Sequence, residues 1–188
     1  MRGEVWMLQK LALGLGAILL VMVAVIALQP STFSIERSTS IAAPPDIIYP
    51  HIASLRAMDE WSPWAKMDAN MKIVYAGPES GVGARSKWEG PEMGKGRLSI
   101  TAVKPDQEIE MNLEMVEPMQ ANNRILFSLD SRDDVTEVTW RMQGRNGFIG
   151  KAFAMFLSMD DMVGSPFEQG LAALKEVSEA DARKLAEQ

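Results

Sequence analysis

From Met71 to Gly144 the sequence alternates apolar and polar residues, and this pattern constrains the fold more than any other feature. Six runs, "MKIVYAG", "GARSKWEG", "GRLSITAVKP", "EIEMNLEMVEP", "NRILFSLDS" and "TEVTWRMQG", are separated by Gly, Pro, Asn and Asp clusters at hairpin spacing. They predict an antiparallel meander. Its period of two assigns one face to Ala84, Ser86 and Trp88; to Leu98, Ile100 and Ala102; to Ile109, Met111, Leu113 and Met115; and to Val138, Trp140 and Met142. The other face takes Arg85, Lys87, Glu89, Arg97, Glu108, Glu110, Glu114 and Arg141. A sheet that is apolar on one side only must be covered on that side.

The flanking segments supply the cover. "FSIERSTSI" (33–41) reads as a further strand, and "DIIYPHIASL" as a short helix with Pro45 at its start and Pro50 bending or shortening it. "EWSPW" marks where that helix gives out, because the residue before a proline is pushed out of the α region. After the strands, residues 148–163 place Ile149, Phe153, Phe156 and Met159 at helical spacing. Gly164 interrupts. "SPFEQGLAALKEV" predicts a restart with Ser165 as N-cap, Pro166 at the first helical position and Glu168 completing a capping box. Phe167, Leu171 and Leu174 face inward, and the charged segment beyond Ser178 is expected to fray.

Ahead of all this, "LALGLGAILLVMVAVIAL" (11–28) carries no charged or strongly polar side chain. As a helix it would rise about 27 Å, close to the hydrocarbon thickness of a bilayer. Arg2 and Lys10 precede it and the first basic residue after it is Arg37, which favours a cytoplasmic amino terminus and a domain on the other side. The organisation expected is a single-pass anchor over residues 1–30 and one domain over 31–188. The alternative is a cleaved signal peptide, with Val25-Ile26-Ala27 at the spacing a signal peptidase reads and a secreted or periplasmic product.

Several chemistries are excluded by what the chain lacks. It has no cysteine and one histidine, so disulfides, cysteine nucleophiles and zinc sites have no ligand set, and neither a metal nor another cofactor is expected. The net charge of −6 and the lack of basic runs argue against a nucleic-acid partner. His51 is expected at or near the surface, outside any Ser-His-Asp arrangement. "GPEMGK" (90–95) and "GVGARS" (81–86) fail as phosphate loops and read as turns. Cross-strand pairing of Glu108, Glu110 and Glu114 with Arg97 and Arg141 is expected on the wet face.

The residues "WSPW" (61–64), "YAGPESGVGARSKWEG" (75–90), "GKGRLSI" (94–100), "VTEVTWRMQG" (135–144) and "MDDMVGSPFEQGLAALK" (159–175) carry a resemblance. Over residues 33–176 the chain resembles the START-like, or SRPBCC, superfamily, and within it the polyketide cyclase/dehydrase and lipid-transport group. That resemblance implies an α+β helix-grip fold, in which a curved antiparallel sheet of seven strands wraps a long carboxy-terminal helix and encloses an apolar cavity. The spanning helix would stand outside it. Placed in that fold, Trp61, Trp64, Trp88, Ile100, Met111, Leu113, Met115, Phe127, Trp140, Met142, Phe156, Met159, Phe167 and Leu171 are the expected cavity lining. One of Trp61 and Trp64 would plug the core and the other line the mouth. Heavy methionine use, 14 residues, suits a pocket that adapts to varied apolar ligands, although ordinary core filling explains many of them.

Three functions remain open at this stage. The first is a membrane-anchored binding domain for a hydrophobic small molecule or lipid. The second is a cyclase/dehydrase- or hydrolase-type enzyme, with Glu89, Arg85 or Tyr75 as weak candidates and no assigned catalytic residue. The third is a protein-interaction module with a filled cavity. A buried ionisable residue of shifted pKa would favour the second.

Overall fold

The computed structural model describes residues 2–154 and 159–187, with side chains for all of these except 2–9, 11, 12, 149, 153, 154, 159, 161 and 162. The chain separates into two compact units. In the first, helix α1 (Arg2–Leu28) accompanies α5 (Phe148–Ala154). Lys151 Nζ donates to the Ala27 carbonyl at 3.1 Å, and Asn146 N–H donates to the Ser31 carbonyl at 2.8 Å. Among the described residues no helix is long and apolar enough to cross a membrane. Within the 11–28 run the side chains are described from Leu13 onward. The expected spanning helix is therefore not shown, although the segment is helical from end to end.

The second unit holds the sheet. Strands β1 (Thr32–Ile41), β2 (Lys72–Ala76), β3 (Arg85–Gly90), β4 (Gly94–Lys104), β5 (Glu108–Glu117), β6 (Ala121–Arg132) and β7 (Val135–Arg145) lie in the order β1-β7-β6-β5-β4-β3-β2. Every neighbouring pair is antiparallel. The six alternating runs are thus a meander, with β1 added at its far edge beside β7. One side is buried as the alternation requires: Ile109, Met111, Val138, Trp140 and Met142 are inside, and the wet face carries the pairs Arg97–Glu114, Arg124–Glu110 and Arg141–Glu36. Exposed pairs of this kind contribute only about 0–1 kcal/mol each and serve register more than stability. Ala102 departs from its assigned face. The β4–β5 register slips between Ile100↔Met111 and Ala102↔Glu110, so a bulge turns Ala102 outward and brings Val103 opposite Ile109 against the core.

Between β1 and β2 run three short helices, α2 (Pro45–Ala53), α3 (Leu55–Trp61) and α4 (Pro63–Met67). Pro45 sits in the first turn of α2, and the helix ends three residues after Pro50. Ser54 then starts α3, its hydroxyl accepting the Ala57 N–H. Ser62 breaks the chain again before Pro63 opens α4. The "WSPW" stretch is therefore a helix-to-helix corner, and Ile48, Ile52, Leu55, Met58 and Trp61 all point into the core.

Helix α6 (Met159–Ala186) lies across the apolar face and corrects two expectations. It does not restart at Ser165; it runs unbroken through Gly164, Ser165 and Pro166. Arg37 on β1 explains why. Its guanidinium bonds Asp160 at 2.9 Å and Glu168 at 2.7 Å, two turns apart on either side of Pro166, and a Cβ on Gly164 would collide with it. The glycine is a seat for Arg37 rather than a stop signal. Nor does the segment after Ser178 fray. Ser178 is buried, Glu179 accepts the Ala42 N–H at 2.9 Å, and Asp181 meets His51 Nε2 at 3.2 Å. The expected inward packing of Ile149, Phe153 and Phe156 lies outside the described side chains, and α5 belongs to the first unit.

Candidate functional site

The core beneath the sheet has two halves. In one, Ile41, Ile48, Ile52, Ile100, Ile109, Met111, Phe127, Val138, Leu171 and Leu174 are closed off from solvent. In the other an apolar cavity of about 150 Å³ remains between the corner helices, the sheet and α6. Its wall comes from Met58 and Asp59 on α3, Ser62, Trp64 and Ala65 at the corner, Met71, Ile73 on β2, Ser86 and Trp88 on β3, and Met93. Leu98, Leu113, Met115, Ile125, Trp140, Met142 and Phe167 complete it.

Of the residues expected to line a cavity, Trp64, Trp88, Leu113, Met115, Trp140, Met142 and Phe167 stand on this wall. Trp61, Ile100, Met111, Phe127 and Leu171 do not; each is packed in the closed half. The division follows position along the strands: the paired Ile100 and Met111, and Ile109 beside Phe127, are sealed, whereas Leu98, Leu113 and Met115, two to four residues along the same strands, border the cavity. Phe156 lies outside the described residues and the Met159 side chain is not described.

The two corner tryptophans divide the work. Trp61 is fully buried and its indole N–H donates to the His51 carbonyl at 2.9 Å, tying α3 to α2. Trp64 is half-buried on the wall, its ring 5.5 Å from Trp140 and 5.8 Å from Phe167, both edge-on. Trp140 is the hub: it stacks on Phe167 at 4.0 Å and 12°, and meets Phe127 at 4.8 Å and Trp61 at 5.7 Å. Such ring pairs add about 0.5–1.5 kcal/mol each beyond their buried area.

Trp88 is positioned from below. Gly96 sits opposite it across the β3–β4 pair, and a Cβ there would run into the indole, so the glycine is what lets Trp88 lie over β4. The rim is fixed by Asp68, 3% exposed, whose carboxylate accepts the Glu92 and Met93 N–H groups at 2.9 and 3.1 Å and that of Asn70 at 3.1 Å. Burial pushes its pKa up, but the three amide donors outweigh that and hold it below the usual value.

Five methionines, Met58, Met71, Met93, Met115 and Met142, share the wall. Only the last two were legible as inward residues, because Met58, Met71 and Met93 sit in the corner and turns, where no period applies. The wall's one acid, Asp59, was also missed. Burial raises its pKa to about 6 against a partial offset from Arg56, and it accepts a hydrogen bond from the Tyr75 hydroxyl. Arg56 in turn lies over the Tyr75 ring at 4.1 Å. The signal was available in "DEWSPWAKMD", whose first and last residues are Asp59 and Asp68. Acids flanking an apolar corner must either find donors or shift their pKa.

Of the three weak catalytic candidates, Tyr75 reaches the wall through its hydroxyl on Asp59, while Arg85 and Glu89 lie away from it. Tyr75 and Arg85 border a separate polar hollow with Arg56 and Glu79, and Glu89 pairs with Lys95 at 3.3 Å on the outer surface. Among the described residues no cluster of His, Asp and Glu could hold a metal ion.

A meander closed by a long helix, with an apolar cavity under the corner, is the architecture of a helix-grip domain. The chain belongs to the family described as polyketide cyclase / dehydrase and lipid transport, which its sequence matches over residues 32–179. No curated protein matches it in sequence. Solved structures share the fold at low identity. Norcoclaurine synthase from Thalictrum flavum has 12% identity and a TM-score of 0.57, over 78% of this chain and 86% of that one. Protein CV1439 from Chromobacterium violaceum has 15% identity and a TM-score of 0.56, over 80% and 99%. For the Aha1 dimer from Colwellia psychrerythraea the values are 20% and 0.51, over 78% and 96%.

Proposed function

We propose that the protein is a binding protein for a hydrophobic small molecule or lipid, held at a membrane through residues 11–28 with its domain on the non-cytoplasmic side. The observation that carries the binding reading is the cavity wall, where five methionines and four aromatic side chains surround three polar residues, Asp59, Ser62 and Ser86. Unbranched thioethers change rotamer at little cost, so the wall can widen around a guest larger than the space at rest. At about 150 Å³ that space is below the usual 300–1,000 Å³ of ligand pockets, which makes such adaptation a requirement. Organic extraction of the full-length chain, purified in mild detergent, is expected to release one apolar compound near one-to-one. Recovery of no compound but detergent and bulk lipid would remove the reading.

The membrane part is supported by α1. Leu13, Leu15, Ile18, Leu19, Leu20 and Val21 are all exposed along it, an apolar surface that a helix in water has no means to cover. The segment is expected to hold the protein in the membrane pellet through carbonate washing. Release into the wash, or a mature chain starting near Leu28, would replace the anchor with a cleaved signal.

Asp59 favours a second reading. A carboxyl with a pKa of about 6, on an apolar wall and bonded by a tyrosine hydroxyl, is equipped to move a proton near neutral pH, as a cyclase- or dehydrase-type reaction requires. Turnover of an enolisable ring ketone that Asp59→Asn abolishes would establish it.

A further inference from the structure

The strand register places the cavity at one end of the sheet. Leu98 on β4, Leu113 and Met115 on β5, Ile125 on β6 and Met142 on β7 stand on the wall. Ile100, Met111, Phe127 and Val138, further along the same strands, are sealed. The pairs Met115↔Ala121, Asn123↔Gly144 and Thr32↔Arg145 identify the open side as the end where β1 starts and β7 finishes. Met93, in the turn that joins β3 to β4 at this end, also belongs to the wall, so the cavity reaches the tip of the sheet.

Chain connectivity brings the apolar segments of the sequence to the same end. Thr32 follows Leu28 by four residues, which span at most about 14 Å, so β1 begins close to where α1 ends. β7 finishes at Arg145, three residues before Phe148, and the stretch 148–157, "FIGKAFAMFL", has Lys151 as its only charge.

The turns at the two ends differ in kind. At the cavity end Val116 and Met119, beside and within the β5–β6 turn, and Met67, shortly before β2, are each about half exposed. Glu89 and Glu117 at this end are both paired with Lys95. At the opposite end the turns after β4 and β6 carry Asp106, Asp133 and Asp134, and the exposed Val135 follows directly on the last two. An acidic end is repelled by anionic headgroups, whereas apolar side chains on turn tips suit the interface of a bilayer.

We propose that the cavity end of the sheet rests on a lipid bilayer, with Val116, Met119 and Met67 in its headgroup layer, so that the cavity faces lipid rather than water. This rests on the reading of residues 11–28 as a membrane segment given above and adds which surface of the domain the membrane meets.

The chain has no cysteine, so single cysteines can be labelled one at a time in the full-length protein. Met119→Cys marks the cavity end, and Gln107→Cys, in the exposed turn after β4, marks the other; the ten residues of β5 between them span about 33 Å. Each variant carries a nitrobenzoxadiazole label and is reconstituted into vesicles of phosphatidylcholine and phosphatidylglycerol that contain a lipid with a headgroup nitroxide. The label at position 119 is expected to lose about half or more of its emission, and that at 107, a strand's length away, less than about a tenth. Val116→Cys takes the place of Met119→Cys should that variant fail to fold. Chain that stays in the vesicles through carbonate washing but is quenched equally at both positions, or more at 107, would overturn the proposal and leave the anchor standing. Release by the wash, with neither position quenched beforehand, would remove the anchor and the proposal together.

Discussion

The closed half and the open half of the core are built from the same strands, yet they solve different problems. Around Phe127, Met111 and Ile109 every side chain is enclosed and interlocked. Around Trp88, Met115 and Met142, a few residues further along the same sheet, the apolar face keeps one side free and is bordered by thioethers, indoles and a single acid. The closed half holds the fold. The open half is stable only because the closed half is, and its residues are free to serve a guest.

This contrast predicts a gradient of mutational cost. Phe127→Ala should be the most damaging, at about 3–5 kcal/mol, because it removes a ring fully enclosed beside Trp61 and Trp140 and leaves a void that interlocked neighbours cannot fill. Urea unfolding followed by circular dichroism measures this directly. Met115→Ala on the wall should cost well under that range, since the side chain already borders open space. Equal costs for the two would mean that the cavity is closed in solution and that the two halves are one.

Between these lie the supports of the open half. Asp68→Ala strands the Glu92, Met93 and Asn70 N–H groups and should cost about 1–3 kcal/mol. Because the carboxylate's pKa is depressed in the fold, its contribution is present above the usual carboxylate range and is lost as pH falls through it and below. The difference between the variant and the parent should therefore shrink in acid. Gly96→Ala should cost a similar amount, about 1–3 kcal/mol, by driving Trp88 off β4. It should also change the Trp88 emission.

How much of this could be read from the sequence follows from how local each cause is. The strand faces were legible because a one-sided antiparallel sheet imposes a period of two on each strand separately. Ala102 escaped because its position depends on a bulge, which one strand's pattern does not reveal. Ser165 was misread for the opposite reason. Its local signals for a helix start are all genuine, but Arg37, far away in sequence, clamps Asp160 and Glu168 and holds the helix continuous across them. The cavity wall was legible where it is made of strands, as at Leu113, Met115, Trp140 and Met142, and illegible where it is made of corners, as at Met58, Asp59, Met71 and Met93. Which inward residues reach the wall and which are sealed depends on position along the strands, not on the period of two. That is a tertiary fact, so Ile100 and Met111 could not be told from Leu98 and Leu113 on the same strands.

The smallest effect concerns the acid at the boundary between the halves. In the unfolded chain Asp59 titrates near the ordinary carboxylate value of 3.8, and in the folded protein near about 6. Between these values the folded state holds the proton more tightly than the unfolded state. The group's stabilising contribution is therefore complete below the unfolded value and declines as pH rises through the window, after which the half-buried charge is a constant penalty. Solvent at the wall screens that charge, so the change in stability is modest and is best read as a shape. Melting temperatures of the parent and of Asp59→Asn should converge near pH 4 and separate in favour of the variant by pH 7, since asparagine keeps an acceptor for the Tyr75 hydroxyl and never ionises. A guest that fills the cavity should deepen the parent's dependence by drying the wall further. If the two proteins melt in parallel across the whole range, Asp59 is solvated like any surface acid, and the wall is wetter than the contrast with the closed half requires.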